Sequence, residues 1–493
     1  MTGPDFHTVI VGAGFAGIGT AIQLDKAGLG DYQIVEAGEE PGGTWHWNTY
    51  PGIAVDIPSF SYQFSFEQSA DWSRTYAKGA ELKRYAQRCV DRYGLRSRIR
   101  FDTMVTAAVF DDESRCWRIE LDDGDVLTAR FLVNASGVLS VPKLPDIDGV
   151  DGFAGITMHT ARWDHSQDLT GKRVAVIGTG ASAVQVIPEI APVVEHLTVF
   201  QRTPIWCMPK LDVPLPAAAR RLMRIPGGKV LQRLLSQAYV ELTFTISAQY
   251  YGVFPLANRA EKMGRAFLRR EVHDPEVREK LTPQYAVGCK RPGFHNTYLS
   301  TYNRDDVELV TEPIEKITPS GVATVDGALR EVDVLILATG FKVMDVDSLP
   351  TFPVTGSSGT SLAQFWTERR LQAYEGVSIP GFPNFFTVMG PYGYVGSSYF
   401  ALIETQTHHI VRCLVQASRR AATRVEVSAE ANDRYFAEMM RKRHRQIFWQ
   451  DSCALANSYY FDQNGDVPLR PTTTAEAVWR SRRFPLADYE FSG

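Results

Sequence analysis

Short apolar runs rich in β-branched residues recur along the chain, and each is followed by a turn and a helix-like stretch. Residues 7–11 (HTVIV) and 173–177 (RVAVI) both lead into glycine-rich turns, after which apolar residues return at helical spacing. A second run completes each repeat, at residues 33–36 and 197–200. Strands that alternate with helices in this way are typical of a parallel sheet covered by helices. The pattern therefore predicts an α/β fold that contains two similar units.

Two further apolar runs connect these units. Residues 131–137 and 334–340 each read as a strand that ends in Ala-Ser-Gly or Ala-Thr-Gly. Small residues allow two backbones to approach closely, and Pro142 and Pro145 then interrupt regular structure after the first run. We interpret both runs as chain crossings, which places the second unit inside the first.

Composition and charge narrow the class of protein. A chain of 493 residues is too long for one ordinary hydrophobic core, so we expect two or three units. Its 44% hydrophobic and 22% charged residues are typical of a folded protein. The 52 basic and 56 acidic residues are dispersed, which argues against a nucleic-acid partner. No apolar stretch is long enough to span a bilayer, so we expect no integral membrane association. Peripheral contact with a membrane stays open, and oligomeric state has no signal in the sequence.

The six cysteines lie far apart and form no CxxC pair; they are Cys89, Cys116, Cys207, Cys289, Cys413 and Cys453. This spacing argues against a disulfide framework, a zinc knuckle or a dithiol redox centre. Because disulfides are rare in reducing compartments, we expect a cytoplasmic protein.

The first glycine motif has the features of a dinucleotide cradle. Gly12 permits a tight turn, Gly14 lets backbone N–H groups approach a pyrophosphate, and Gly17 lets the helix pack closely on the strand. Glu36 ends the next strand, where its carboxylate can accept hydrogen bonds from both hydroxyls of an unphosphorylated ribose. A glycine triplet alone is often a simple turn, but this one follows a strand, precedes a helix and is completed by an acid.

The second motif, GTGASA, repeats this arrangement with alanine in place of the third glycine. Gly178 and Gly180 have the first two glycine roles, and Ser182 lies in the first turn of the following helix. The next strand leads into Arg202 and Thr203 instead of an acid. A guanidinium and a hydroxyl suit a ribose 2′-phosphate, so the motif favours NADPH over NADH, the simpler alternative being a solvated surface arginine.

More specific segments resemble signatures of the type I Baeyer–Villiger monooxygenases. Residues 153–164 match the pattern FxGxxxHxxxW(P/D) at every fixed position, and Trp163 stands where the related flavin-containing monooxygenases carry Tyr or Phe. A second signature of the family is matched by GGTW, YPG and a following aspartate. Its members assigned here to cofactor binding are Gly43, Thr44, Trp45, Tyr50 and Asp56.

The resemblance implies two Rossmann-like dinucleotide-binding domains, for FAD and for NADP, with the NADP domain inserted in the FAD domain and a helical insertion. The predicted division is 1–145 and 338–493 for the two parts of the FAD-binding domain, 146–209 and 286–337 for the NADP-binding domain, and 210–285 for the helical insertion. Gly340, at the second crossing, and Gly390, in a segment that resembles the one under the flavin pyrimidine ring, are assigned to cofactor binding.

The implied reaction uses FAD, NADPH and O2 to insert one oxygen atom beside a ketone carbonyl, through a flavin C4a-peroxide, and gives an ester or lactone. An anionic peroxide needs a fixed cation beside it, and Arg291 lies in a segment that resembles the one with the family's active-site arginine. Asp56 would orient this guanidinium, and Lys290 would join Arg202 at the 2′-phosphate. On an extended segment the side chains of Lys290 and Arg291 would point to opposite sides, which suits binding to two different ligands. Without the resemblance, a Lys-Arg dipeptide is more typical of a solvated basic pair.

One feature departs from the family pattern, and two others have no assigned chemical role. Tyr459 replaces a tryptophan in a segment, residues 453–471, that is mobile in relatives, and this bears on substrate fit. His159 and Trp163 are four residues apart, which predicts one helical face, and we assign them to the domain hinge. The insertion has an aromatic cluster that suits substrate entry or an ordinary core equally well, comprising Tyr239, Phe244, Tyr250, Tyr251 and Phe254.

Other functions remain as alternatives. A flavin-containing monooxygenase that oxygenates nitrogen or sulfur uses the same cofactors, but Trp163 and Arg291 count against it. A disulfide reductase needs two nearby cysteines, which the spacing disfavours. A redox sensor would hold FAD and NADPH without turnover. The sequence leaves linear, cyclic and steroid ketones open as substrates.

Overall fold

The computed structural model describes residues 3–254 and 256–493 and contains two central sheets. The first sheet has eight strands; its pairs are parallel except for the three consecutive strands Val105–Asp111, Cys116–Leu121 and Val126–Asn134, which form an antiparallel meander. From one edge to the other its strands are Val354–Thr355, Val105–Asp111, Cys116–Leu121, Val126–Asn134, Phe6–Val11, Tyr32–Val35 and Ile99–Arg100, and Phe385–Thr387 also pairs with Val126–Asn134.

The second sheet has five strands, all parallel, and is built from the middle of the chain. Its order is Val307–Val310, His196–Phe200, Arg173–Ile177, Val334–Leu337 and Ile156–His159. The central side chains Val174, Val176 and Ile336 are fully buried. A parallel sheet is covered on both faces, so its strands consist of the continuous apolar runs seen in the sequence. The predicted α/β class is confirmed.

Smaller sheets complete the strands. Ile314–Thr318, Gly321–Thr324 and Leu329–Glu331 form an antiparallel sheet, Cys207–Met208 pairs with Gly293–Phe294, and Arg424–Val427 pairs with Tyr489–Ser492.

The α-helices pack around both sheets. Their bounds are Phe15–Lys26, Thr44–Trp47, Gly79–Arg92, Ala181–Ile190, Ala217–Met223, Gly228–Val240, Ser247–Gln249, Ala257–Glu271, Pro275–Lys280, Tyr298–Thr301, Leu362–Arg369, Tyr399–Arg420, Ala429–Lys442 and Thr474–Arg483. A π-helical turn, Glu241–Ile246, continues the helix Gly228–Val240. Short 3-10 turns lie at Arg96–Arg98, Val150–Gly152, Val346–Ser348, Ser357–Gly359, Arg443–Arg445, Ile447–Trp449, Asp451–Ala456 and Leu486–Asp488. Residues 210–285 are largely helical, as expected. Across the described ranges, no helix has both the length and the apolarity needed to cross a membrane.

The chain passes between the two sheets at two neighbouring points. Pro142 and Phe341 form an antiparallel bridge, and the backbone N–H of Lys143 donates to the carbonyl of Gly340 at 2.9 Å. The strands before residue 135, together with Val354–Thr355 and Phe385–Thr387, belong to the first sheet, and those from 156 to 337 belong to the second and to the smaller sheets. The domain boundaries set from the sequence stay predictions.

Two expectations were wrong. His159 and Trp163 do not share a helical face, because His159 ends the strand Ile156–His159 and Trp163 follows it outside regular structure. The argument from spacing against disulfides fails at one pair, because Cys289 and Cys453 form a disulfide although they are 164 positions apart in the sequence. Spacing along the chain misses such a pair, since the fold alone brings the two segments together. Cys89, Cys116, Cys207 and Cys413 are free and buried.

Candidate active site

The first glycine motif forms a tight turn between the strand Phe6–Val11 and the helix Phe15–Lys26. Gly12 has a φ of 103°, a conformation that favours glycine. A Cβ at Gly17 would lie 1.9 Å from the carbonyl oxygen of Gly12, so this position accepts no side chain. The helix starts at Gly14 with no side-chain cap and no acidic residue in its first turn. Its first N–H groups are therefore available to an anion such as a pyrophosphate.

Glu36 lies beside this turn and is almost fully buried. Its carboxylate accepts hydrogen bonds from the N–H of Ala13 at 2.6 Å and of Gly38 at 2.8 Å. Burial raises the pKa of Glu36, and the two backbone hydrogen bonds oppose that rise. Carboxylate oxygens have further lone pairs, so the group can hold the turn and still accept from ribose hydroxyls. The turn, the uncapped helix and Glu36 fit the adenosine and pyrophosphate of FAD.

The GGTW segment packs against the first turn. A Cβ at Gly43 would lie 2.9 Å from the Cα of Gly14, and Thr44 begins the short helix Thr44–Trp47. The indole N–H of Trp45 donates to the hydroxyl of Tyr62 at 3.2 Å. These contacts place the segment directly beside the pyrophosphate cradle.

Tyr50 lies between the two units. Its hydroxyl donates to Oε1 of Gln185, in the helix Ala181–Ile190, at 3.1 Å. Burial raises the pKa of Tyr50 to about 12, while a hydrogen bond with Ser182 acts in the opposite direction. Gln185, which the sequence reasoning missed, also bonds the backbone of Ala54 through both amide atoms. The segment of the first signature is thus joined to the helix of the second cradle.

The second cradle repeats the geometry of the first. Gly178 has a φ of 111°, and a Cβ there would lie 2.6 Å from the carbonyl oxygen of Ala338. Gly180 is the N-cap residue of the helix Ala181–Ile190, which has no side-chain cap and no acid in its first turn. Space is open around Gly180, and Ser182 lies two residues later in the first turn of this helix. This arrangement fits the pyrophosphate of a second dinucleotide.

A group of basic and polar side chains lies at the end of the strand His196–Phe200. Burial and the neighbouring charge of Arg202 lower the pKa of Lys290 to about 8. Neither side chain makes an ion pair with a carboxylate in the described part of the chain. The side-chain amide of Asn457 donates to the hydroxyl of Thr203 at 3.2 Å. Two neighbouring cations without an acid fit a dianionic 2′-phosphate.

Arg291 and Asp56 form a close ion pair at the junction of the two units. The Nε of Arg291 donates to Oδ2 of Asp56 at 2.7 Å, and their side chains are 15% and 39% exposed. Burial raises the pKa of Asp56, but the charge and hydrogen bond of Arg291 and the charge of Lys210 hold it below its ordinary value. Both groups therefore stay ionised. Because Nε makes this bond, the other guanidinium N–H groups can bind a second acceptor.

Aromatic side chains from other parts of the chain surround this guanidinium. The ring of Phe244 lies 4.2 Å from Arg291 and stacks as a cation–π contact. Burial lowers the pKa of Arg291, but the charge of Asp56 and the hydroxyls of Tyr460 and Tyr394 raise it well above its usual range. The sequence reasoning named Phe244 only within a cluster and missed Tyr394 and Tyr460. Their local patterns carry no signal, because they approach Arg291 only in the fold.

The two remaining glycines predicted to bind cofactor, Gly340 and Gly390, lie far from Asp56 and Arg291 along the chain. Gly340 has a φ of 82° and lies at the second crossing. Gly390 approaches the backbone of Gly376, where a Cβ would lie 2.5 Å from the carbonyl oxygen. Of the aromatic cluster, Phe244 is buried, whereas Tyr239 and Phe254 are exposed, so the cluster does not form one wall.

Comparisons with known proteins find relatives along the whole chain. The family model for pyridine nucleotide-disulphide oxidoreductases matches residues 9–225. A Baeyer-Villiger monooxygenase of Streptomyces coelicolor is 37% identical over 490 residues, which cover 98% of this chain and 92% of that protein. One of Pseudomonas aeruginosa is 36% identical over 449 residues, which cover 90% and 84%. The solved structure of OTEMO in complex with FAD and NADP has a TM-score of 0.89 at 31% identity and covers 100% of both chains.

Proposed function

The chain belongs to the type I Baeyer–Villiger monooxygenase family, and from this premise we propose how its own residues serve the reaction. The enzyme uses FAD and NADPH to insert one atom of molecular oxygen beside a ketone carbonyl, which gives an ester or a lactone. Reduced FAD supplies the activation of dioxygen, because such cofactors carry the redox chemistry. The roles of the individual residues, and the identity of the ketone, are the proposal.

The two cradles hold the two cofactors. Gly12, Gly14 and Gly17 admit the FAD pyrophosphate to the N-terminus of the helix Phe15–Lys26, with Glu36 on the ribose. Gly178, Gly180 and Ser182 do the same for NADPH, while Arg202, Thr203 and Lys290 bind its 2′-phosphate. Gly43, Thr44, Trp45 and Tyr50 line the flavin side, and Gly340 and Gly390 allow the backbone to approach it closely.

Arg291 is the proposed catalytic cation. A guanidinium remains protonated under all relevant conditions, so its N–H groups donate to developing negative charge on oxygen and do not transfer a proton. Asp56 accepts from Nε and holds the fork in one orientation. A carboxylate facing an anionic oxygen alone would be repulsive, and the short Arg291–Asp56 contact is the observation that carries this assignment.

The test compares flavin reduction with product formation in Arg291→Ala. We expect anaerobic bleaching of the flavin by NADPH to continue, and ester formation to fall by about a thousandfold, because the variant loses the donor that stabilises oxyanion charge. Arg369→Ala, which removes an exposed arginine elsewhere, is the matched control and should retain full activity. Ester formation at the normal rate by Arg291→Ala would remove this residue from its role.

A panel of ketones, amines and thioethers tests the reaction class itself. We expect oxygen from O2 to appear in esters or lactones, with ketones as the preferred substrates. Oxidation confined to nitrogen or sulfur would contradict the assignment.

We also propose a cytoplasmic location. Four buried cysteines remain free thiols, which is typical of a reducing compartment, and the Cys289–Cys453 pair is the exception. Subcellular fractionation with a cytoplasmic marker is the measurement that checks it.

A further inference from the structure

The helix Gly228–Val240 presents its apolar side chains to solvent. Leu231, Leu234 and Leu235 are 60%, 62% and 60% exposed. Val230 in the same helix is 54% exposed, and Leu242, just beyond the helix end, is 55% exposed. We call these five residues the leucine face. Helices on the surface of a globular protein turn such a face toward the core, so the polarity of this helix is inverted.

Hydrogen bonds from the polar side of the helix fix this orientation. Arg233 donates to the carbonyl of Gln63 at 2.6 Å, and the hydroxyl of Ser236 donates to that of Ser61 at 2.9 Å. The side-chain amide of Gln237 donates to the hydroxyl of Ser397 at 2.8 Å. A rotation that buried the leucines would break all three bonds and leave polar groups unpaired. The outward position of the leucine face is therefore a property of the fold.

Further apolar side chains extend this surface toward the preceding segment. More than half of each is exposed, and they are Leu211, Val213, Leu222 and Ile225. Single exposed apolar residues are ordinary, but contiguous apolar patches on a folded protein mark a surface that contacts something else. Exposed apolar residues thus recur along the chain from Leu211, before the helix Ala217–Met223, to Leu242 in the π-helical turn.

The middle of this segment is basic. Residues 217–240 contain Arg220, Arg221, Arg224, Lys229 and Arg233 and no aspartate or glutamate, whereas the whole chain has a net charge of −4. The acids of the wider range 211–242 are engaged elsewhere, because Asp212 pairs with Arg74 and Glu241 accepts hydrogen bonds from Thr474. Arg224 pairs with Asp71, and Arg233 lies 3.8 Å from Glu404. The other three cations have no carboxylate partner among residues 3–254 and 256–493. Unneutralised positive charge thus flanks the leucine face.

We propose that this surface docks on an anionic lipid bilayer. Leucines that insert at the acyl boundary together with flanking Arg and Lys that meet lipid headgroups are typical of interfacial helices. A second copy of the chain fits less well, because two-fold pairing would bring the unneutralised Arg220, Arg221 and Lys229 of one copy near those of the other. A bilayer supplies both an apolar phase and negative charge.

Cosedimentation with vesicles tests the proposal on the full-length, FAD-loaded protein. We expect binding to vesicles of phosphatidylcholine with phosphatidylglycerol, weaker binding to phosphatidylcholine alone, and loss of the difference at high salt. Leu234→Ser with Leu235→Ser should lower the partition coefficient by about tenfold or more. Arg221→Glu with Lys229→Glu should remove the preference for anionic vesicles.

The matched control replaces exposed apolar residues elsewhere. Val325 and Leu329 are 61% and 48% exposed on the antiparallel sheet, and Val325→Ser with Leu329→Ser should leave vesicle binding unchanged. Because all substituted side chains are exposed, the thermal midpoints of the variants should match that of the wild type. The measurement involves no turnover, so it is independent of the proposed catalytic roles.

Two results would overturn the proposal. Equal sedimentation of wild type and Leu234→Ser/Leu235→Ser would show that the leucine face does not insert. Light scattering that finds a lipid-free dimer, which this double variant converts to monomer, would assign the surface to self-association instead.

Discussion

At the residue scale, the proposed chemistry depends on which basic side chains are paired with a carboxylate and which are not. Arg291 is neutralised by Asp56 at 2.7 Å, which keeps the cation oriented for use. Lys290, the next residue toward the N-terminus, faces Arg202 without an acid, and its pKa falls to about 8 through burial and that neighbouring charge. One basic dipeptide thus contains a cation with a carboxylate partner and a cation without one, which supports the proposal that they serve two different ligands.

The lowered pKa of Lys290 predicts how NADPH use depends on pH. Below about pH 8 the free enzyme carries a protonated Lys290, and this charge is lost as the pH rises through that value. Binding of the 2′-phosphate should therefore weaken above it, with kcat/KM for NADPH falling toward about tenfold per pH unit. Initial rates at several pH values, with NADPH varied, measure this.

Two comparisons isolate that effect. NADH lacks the 2′-phosphate, so its kcat/KM should not follow the same profile. Lys290→Gln should use NADPH poorly at every pH and lose the inflection near pH 8. An unchanged profile in this variant would assign the inflection to another group.

At the element scale, each cradle is a strand, a turn and a helix, and the turn determines whether the ligand can reach the helix. These units were predictable because their signals are local, namely glycine spacing, apolar strands and the residues that follow the next strand. The surroundings of Arg291 could not be predicted, since Phe244, Tyr394 and Tyr460 come from separate segments with no pattern in common. The outward leucine face of the helix Gly228–Val240 could not be predicted either, because periodicity identifies an apolar helix face but not whether that face packs on the core.

A single methyl group tests the first cradle. In Gly17→Ala the new Cβ would lie 1.9 Å from the carbonyl oxygen of Gly12, so the helix must move away from the turn. We expect purified protein with little bound FAD and a stability lower by about 1–3 kcal/mol. The flavin absorbance per protein and a urea titration measure these effects.

Gly152→Ala is the control for that variant. No atom lies within 4 Å of a Cβ at Gly152, so FAD content and stability should be those of the wild type. Full flavin occupancy in Gly17→Ala would mean that the turn tolerates the shift.

At the scale of the whole molecule, the Cys289–Cys453 disulfide joins the segment that carries Arg291 to the C-terminal part of the chain. Cys289 lies two residues before Arg291, and Cys453 lies in the 3-10 turn Asp451–Ala456. The same C-terminal region supplies Tyr460 near Arg291 and Asn457 at Thr203. The segment that departs from the family pattern is thus near Arg291, the proposed catalytic cation, and in contact with Thr203, which we propose for the 2′-phosphate.

Thiol counting tests this pair. Titration of the unreduced protein in denaturant should find four thiols, those of Cys89, Cys116, Cys207 and Cys413, and six after reduction. Cys453→Ser should lower the free energy of unfolding by about 2–4 kcal/mol, because the cross-link no longer restricts the unfolded chain. Six thiols before reduction would contradict the pairing. Cys116→Ser, at a free cysteine, is the control.

The two crossings between the sheets have a mechanical consequence. They lie side by side, joined by the Pro142–Phe341 bridge and by the hydrogen bond from Lys342 N to the carbonyl of Val141 at 3.0 Å. With these two links alone, the second unit could rotate about one axis that passes through them. The Cys289–Cys453 disulfide is a third covalent link, between the segment of Arg291 and the C-terminal part of the chain, so it restricts this rotation while it is intact.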